Sequence, residues 1–341
     1  MSSVSAIHHL ITGGAGFIGS HLAEHLLLQG ERVTVLDNLS TGRESNIEHL
    51  SAHANFRIVR GSVLDRELVE GLIEECDFVF HLAAAVGVQL IVERPVHTIV
   101  TNVAGSELVL SVAAANKRPL LLASTSEVYG KSEKLPFRED DDLVMGPTTR
   151  SRWAYACSKA IDEFLAIAYY REEGLPVTIV RLFNTVGPRQ TGRYGMVLPR
   201  FVQQALAGQP ILVYGDGKQT RCFGYVGDVV KAMARLSAEP RAVGQVFNVG
   251  NDVEMSVLEL ARMVREITGS NSPIQFVPYR EVYGDGFEDM HRRVPCLDKI
   301  RSLLGHQPLV RPDAIVKLVA DHFRRASVDS DDSLSRMPLT S

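Results

Sequence analysis

A chain of 341 residues with 45% hydrophobic and 22% charged residues can bury a sizeable core, in one large domain or two modest ones. Its net charge of -4 and pI near 6.3, with the basic residues dispersed, argue against nucleic acid as a partner. Cys76, Cys157, Cys222 and Cys296 lie far apart and form no C-x-x-C pair. Neither a zinc site nor a disulfide framework is expected, and a reducing cytosol suits them.

No run is expected to reach the ~20 apolar residues that span a bilayer, and Met1 to Leu10 lacks a charged n-region and a cleavage signature. A cytoplasmic protein without a membrane partner is expected. In chain order, strand-like and helix-like segments alternate through the first half. His8 to Thr12 reads as a buried strand, and Phe17 to Leu28 as a helix with Ile18, Leu22 and Leu26 on one face. Strands follow at Arg32 to Leu36 and Phe56 to Val59, then a helix from Arg66 to Glu74. Phe78 to Leu82 and Leu120 to Ala123 are apolar strands separated by a helix from Val96 to Asn116. After an irregular acidic loop at Arg138 to Asp142, a long helix covers Trp153 to Glu173, and Val177 to Leu182 is a strand.

Strands nearly continuous in Val, Ile and Leu, alternating with helices, imply a parallel sheet covered on both faces. The fold class is α/β, a doubly wound Rossmann sheet with a smaller C-terminal α+β substrate domain. Residues 1–183 form the expected dinucleotide domain, and 222–250 return to it through Val226 to Leu236 and Val246 to Val249. Residues 184–221 and 251–326 form the second domain. Ser327 to Ser341, rich in Ser and Asp, reads as a disordered tail.

Gly13, Gly16 and Gly19 give G-x-x-G-x-x-G between a strand and a helix. Glycines there allow a tight turn, close approach of backbone to a pyrophosphate, and close helix–strand contact. The helix N-terminus meets the phosphate charge. Asp37, closing the second strand, is placed for the adenosine ribose hydroxyls and favours NAD over NADP. Asp65 either approaches the adenine or caps a helix.

Tyr155 and Lys159 are one helical turn apart and share a face. An adjacent ammonium and a cationic nicotinamide would draw a phenol from its usual value of about 10 toward neutrality. Tyr155 then takes the proton of an alcohol as hydride leaves the same carbon for NAD. Thr125, at the carboxyl edge of the strand beginning at Leu120, would hydrogen-bond that oxygen.

In these motifs the chain resembles the extended short-chain dehydrogenase/reductases that epimerise, dehydrate or decarboxylate nucleotide sugars. The likeness runs from about Ile7 to Pro308. It is carried further by His81-Leu82-Ala83-Ala84, Asn102, Arg181-Leu182-Phe183-Asn184, Gly187-Pro188-Arg189, the run Tyr214 to Arg221, and Arg292-Arg293. The resemblance implies NAD contacts at Phe17, Ile18, Asn38, Leu82, Ala83, Ala84 and Asn102 as well. It implies a UDP-sugar held by Asn184, Arg189, Arg193, Tyr214, Arg221 and Arg293. Asn184 and Arg221 would meet the diphosphate, with Arg293 closing on it, whereas Arg189 and Arg193 could bind a substrate carboxylate or phosphate. No metal is implied. A homodimer through a four-helix bundle is.

Ser124-Thr125-Ser126-Glu127-Val128-Tyr129-Gly130 closely resembles UDP-glucuronate decarboxylases. Ser126 stands where 4,6-dehydratases carry an Asp, which argues against dehydration. Thr125, Ser126 and Glu127 thus join Tyr155 and Lys159 in the expected catalytic set. Oxidising C4 turns a C6 carboxylate into a β-keto acid, primed to lose carbon dioxide. His81 to Val88 is more epimerase-like, so a UDP-glucuronate or UDP-glucose 4-epimerase is the alternative. A non-catalytic NAD-binding protein is a minor one, since fold alone does not fix function.

Overall fold

The computed structural model describes residues 6–86, 94–150, 152–192, 196–283 and 290–335. β1 (His8–Thr12) leads into α1 (Phe17–Leu28), and β2 (Arg32–Asp37) and β3 (Phe56–Arg60) follow. Next come α2 (Arg66–Glu75), β4 (Phe78–His81), α3 (Pro95–Ala115), β5 (Leu120–Thr125), α4 (Arg152–Glu173) and β6 (Val177–Leu182). The later elements are β7 (Thr185–Val186), α5 (Val197–Leu206), β8 (Ile211–Tyr214), β9 (Thr220–Cys222), β10 (Gly224–Tyr225) and α6 (Val226–Ser237). β11 (Gln245–Val249), β12 (Glu254–Ser256), α7 (Val257–Thr268) and β13 (Ile274–Val277) complete the set used below.

Seven strands form one sheet in the order β11-β6-β5-β4-β1-β2-β3, and every pair is parallel. Parallel strands need crossovers, and helices supply them on both faces. One face packs Leu22, Ala23 and Leu26 of α1 and Val229, Val230 and Met233 of α6 against Ile11, Val33 and Phe80. The other packs Leu72 and Ile73 of α2, Leu108 and Val112 of α3 and Ala166 of α4 against Leu10, Val79 and Leu122. The doubly wound sheet expected from the apolar strand runs is the observed one. Within 222–250, Val226–Ser237 returns as a helix over the sheet face, and Gln245–Val249 returns as its edge strand.

The remaining C-terminal segments build a smaller cluster. Phe201 and Val202 of α5, Leu260 and Val264 of α7, Ile211 of β8 and Val316 and Val319 of the helix Pro312–Ser335 share its core. Two expectations need correcting. The last helix continues to Ser335, through part of the stretch read as a disordered tail; its apolar residues up to Phe323 anchor it and the helix propagates beyond them. Helix α3 is also long and apolar enough to cross a bilayer by length and composition, contrary to the reading that no run is. Its apolar character follows from its packing, because half of that window is buried, chiefly against α2, α4 and the sheet.

Candidate active site

Gly13, Asp37, Leu82, Thr125 and Asn184 lie at or just beyond the carboxyl ends of β1, β2, β4, β5 and β6, where a doubly wound sheet leaves its crevice. After β1 the chain turns through Gly13, whose φ of +71° is costly for any side chain. A Cβ there would also lie 2.8 Å from the Ala83 nitrogen. Gly19, in the first turn of α1, lets the helix sit on that loop: a Cβ would stand 2.4 Å from the Gly13 oxygen. Phe17 and Ile18 open α1 and are half-buried, and no acidic side chain lies in its first turn. The glycine cradle, an unopposed helix N-terminus and partly exposed Leu82, Ala83 and Ala84 fit a dinucleotide pyrophosphate.

Asp37 ends β2 and is buried, accepting from Ala15 N at 2.9 Å and Leu39 N at 2.8 Å. Burial raises its pKa, and the amides of Leu39, Ala15 and Gly16 oppose the rise. The carboxylate therefore already braces the glycine turn. Asn38 is exposed and accepts from Ser40 N. Asp65 is the N-cap of α2, its Oδ1 accepting from Leu68 N at 3.2 Å, so its cap reading is the one the geometry supports. Asn102 is buried and spans two elements: its Oδ1 accepts from Ala85 N at 2.8 Å and its Nδ2 donates to Ser158 Oγ at 3.1 Å. Ser158 Oγ in turn donates to the Tyr155 carbonyl at 2.8 Å.

Thr125 is the last residue of β5, and its Oγ1 accepts from Glu127 N at 3.2 Å, capping a short 3-10 turn. With that acceptor engaged, the hydroxyl proton can serve a further oxygen. Ser126 is buried behind it. Helix α4 packs on this turn and brings Tyr155 (8% exposed) and Lys159 (2% exposed). Lys159 Nζ forms a buried ion pair with Asp162 Oδ2 at 2.8 Å. Glu127 meets Arg293 across the chain, Oε1 to Nη1, at 3.2 Å, both side chains nearly buried. The Arg293 guanidinium thus lies against the Glu127 carboxylate.

On the substrate side, Asn184 follows β6 with φ of +29° and a buried amide nitrogen that has no partner among the described residues. An unsatisfied buried donor on strained backbone at a strand end is a feature of ligand sites. Arg221 is buried on β9, donating to the Thr220 carbonyl at 2.7 Å. Tyr214 closes β8 with the Arg200 guanidinium 3.6 Å above its ring. Arg189 lies at φ +67° and donates to Glu24 Oε2 at 2.5 Å, with His49 Nε2 at 3.2 Å. That contact draws it to α1. Arg193 lies outside the described residues.

Three buried partners were absent from the expected set. Asp162 is one. Glu163 is another, accepting from the Arg181 fork at 2.8 to 3.2 Å and from Ser124 Oγ. Their helical spacing of three and four from Lys159 was the available signal. The third role belongs to His81, whose Nδ1 meets Thr12 Oγ1 at 2.8 Å and whose Nε2 meets Ser106 Oγ at 3.1 Å. Burial and the nearby Lys159 push its pKa down to about 3, so it is neutral at physiological pH. No cluster of His, Cys, Asp and Glu fit for a metal occurs among the described residues.

The profile of the NAD dependent epimerase/dehydratase family matches residues 9–250. A UDP-N-acetyl-alpha-D-glucosaminuronate decarboxylase of Bacillus cytotoxicus is 43% identical over 321 residues, 94% of this chain and 98% of that protein. UDP-glucuronic acid decarboxylase 1 of Xenopus tropicalis is 37% identical over 93% of this chain and 72% of its own length. Among solved structures, the UDP-glucuronic acid 4-epimerase of Bacillus cereus, with UDP-glucuronic acid and NAD, superposes with a TM-score of 0.83. It is 26% identical, covering 94% of this chain and 100% of the other.

Proposed function

The chain belongs to the NAD dependent epimerase/dehydratase family, and on that premise we propose that it decarboxylates a UDP-hexuronic acid through a 4-keto sugar. The observation that carries this reading is Glu127, two residues beyond Thr125 and held by Arg293, in a chain 37 to 43% identical to two uronate decarboxylases. NAD, when bound, would supply the acceptor for the C4 hydride and its return. The glycine turn, Phe17, Ile18, Asp37, Asn38, Leu82, Ala83, Ala84 and Asn102 would hold or brace it.

Tyr155 takes the C4 hydroxyl proton, with Lys159 beside it on the same helix. Thr125 donates to the C4 oxygen. With C4 a ketone, the C5–C6 bond pair moves into the ring as an enolate and C6 leaves as carbon dioxide. The negative oxygen at C4 is met by the Thr125 hydroxyl and the Tyr155 phenol, which are donors at the place where charge develops. The Tyr155 proton can then pass to C5, restoring the phenolate, and the one proton that decarboxylation consumes overall comes from solvent to the C4 oxygen as the hydride returns. Arg293 attracts the sugar carboxylate, and Glu127 limits that hold, so the charged carboxylate is not over-stabilised against its loss as neutral carbon dioxide. Asn184, Tyr214 and Arg221 face the UDP part.

The uronate 4-epimerase keeps a place, supported by the superposition on the Bacillus cereus enzyme. Incubation with UDP-glucuronate and UDP-N-acetylglucosaminuronate, followed by mass-resolved product analysis, separates the two. A pentose nucleotide with released carbon dioxide supports decarboxylation; a product of unchanged mass supports epimerisation and sinks our reading.

The exposed apolar side chains of α3 and α4 support pairing through these helices. Val96, Val100 and Phe164 are 73%, 50% and 71% exposed, with Ile99 and Ile161 beside them. Two copies would cover this face as a four-helix bundle. Light scattering should give a dimer that Phe164→Arg splits; a wild-type monomer at micromolar concentration would reject the pairing. Four unpaired cysteines suit a reducing cytosol.

A further inference from the structure

We propose that Asp162 is the positioning residue for Lys159, fixing its ammonium beside Tyr155 and tempering the charge that the phenol feels. The proposal rests on the reading of Tyr155 as the proton acceptor. Both partners are inside the protein, Asp162 at 0% and Lys159 at 2% exposure, with Nζ and Oδ2 2.8 Å apart. A buried ammonium without a counter-charge is costly, so the carboxylate holds it in one place. Lys159 engages Asp162 Oδ2, while Oδ1 has no hydrogen-bond partner among the described residues. A nearby acid of this kind also opposes the field that favours a tyrosinate.

A run of polar groups continues from this pair toward the glycine turn. The Ser106 hydroxyl faces Asp162, and Ser106 meets His81 Nε2 at 3.1 Å. His81 Nδ1 meets Thr12 Oγ1 at 2.8 Å, and Thr12 Oγ1 accepts from Ala83 N at 3.2 Å. If His81 carries its proton on Nε2, every donor points one way, Ala83 to Thr12, Thr12 to His81 and His81 to Ser106, which leaves the Ser106 hydroxyl proton on the side of Asp162. All the side chains in this run are at most 2% exposed. It ties the position of Lys159 to the loop that meets the dinucleotide.

The charges facing the pair are few. Glu163 on α4 is engaged by Arg181 of β6. His81 of β4 is neutral, and α3 presents the uncharged Ser106 and Asn102. Asp162 therefore supplies the opposing charge, and replacing it with Asn keeps the shape while removing that charge.

The test follows phenolate absorbance against pH, with and without NAD, each protein corrected by a matching variant that also carries Tyr155→Phe. Asp162→Asn should move the Tyr155 transition to more acidic pH by about one unit, and Asp162→Glu should lie near wild type. Superimposable wild-type and Asp162→Asn curves would overturn the proposal. If Asp162→Asn does not fold, the double variant Lys159→Met/Asp162→Asn decides. A folded double variant supports the pairing, because the stranded ammonium is gone; an unfolded one overturns it. The titration needs no sugar, so a wild-type protein that releases no carbon dioxide defeats the functional reading while leaving this result intact.

Discussion

Glu127 and Arg293 come from distant parts of the sequence and meet at 3.2 Å with little solvent around them. A pair this enclosed loses more when one member is removed than it contributes as a pair, because the survivor keeps its desolvation cost. Glu127→Gln keeps size and hydrogen-bonding groups and removes only the charge. Carbon dioxide release should fall roughly 100-fold, with NAD binding by calorimetry unchanged. Release at the wild-type rate would take Glu127 out of the mechanism. Residue types were readable where chemistry depends on local spacing: Thr125, Tyr155 and Lys159 announce themselves. Partners across the chain were not. Nothing in Gly187-Pro188-Arg189 says that Arg189 turns to Glu24, since that contact depends on how two distant elements pack.

The glycine turn shows how an element is specified. Gly13→Ala places a Cβ against the Ala83 backbone and in a conformation costing about 1 to 3 kcal/mol. Backbone cannot move aside as a side chain can. NAD affinity should drop by at least about tenfold, with a lower melting temperature; unchanged affinity by calorimetry would remove the turn from the cofactor site. Most strands were legible because burial on both faces leaves runs of Val, Ile and Leu with little else. The last helix was not legible to its end. Its polar turns beyond Phe323 carry no periodic signal, and the anchor that sustains them lies earlier, at Val316 and Val319. Helix α3 misled in a different way: apolar composition reports burial without saying whether protein or lipid does the burying.

At the scale of the whole molecule, three histidines couple stability to acidity. Burial depresses His9 and His21 to about 4 and His81 to about 3, against 6.5 in the unfolded chain. Below pH 6.5 the unfolded state takes up protons that the native state refuses, so stability is lost as pH falls from 6.5 toward 4. Each histidine contributes up to about 1.4 kcal/mol per pH unit in that window. Urea midpoints measured from pH 7 to 4.5 should fall steadily, and a flat profile would contradict the burial. His81→Asn should flatten part of the slope.

The edge position of Gln245–Val249 has a consequence for how this protein can be made and cut. While a ribosome is still adding the preceding residues, β6 offers bare amides and carbonyls along its outer side. A translation product stopped before 245 would carry that sticky ribbon permanently and invite pairing with other nascent chains. The N-terminal part is thus not a transplantable cofactor cassette, and chimeras of this chain should exchange segments only after residue 249.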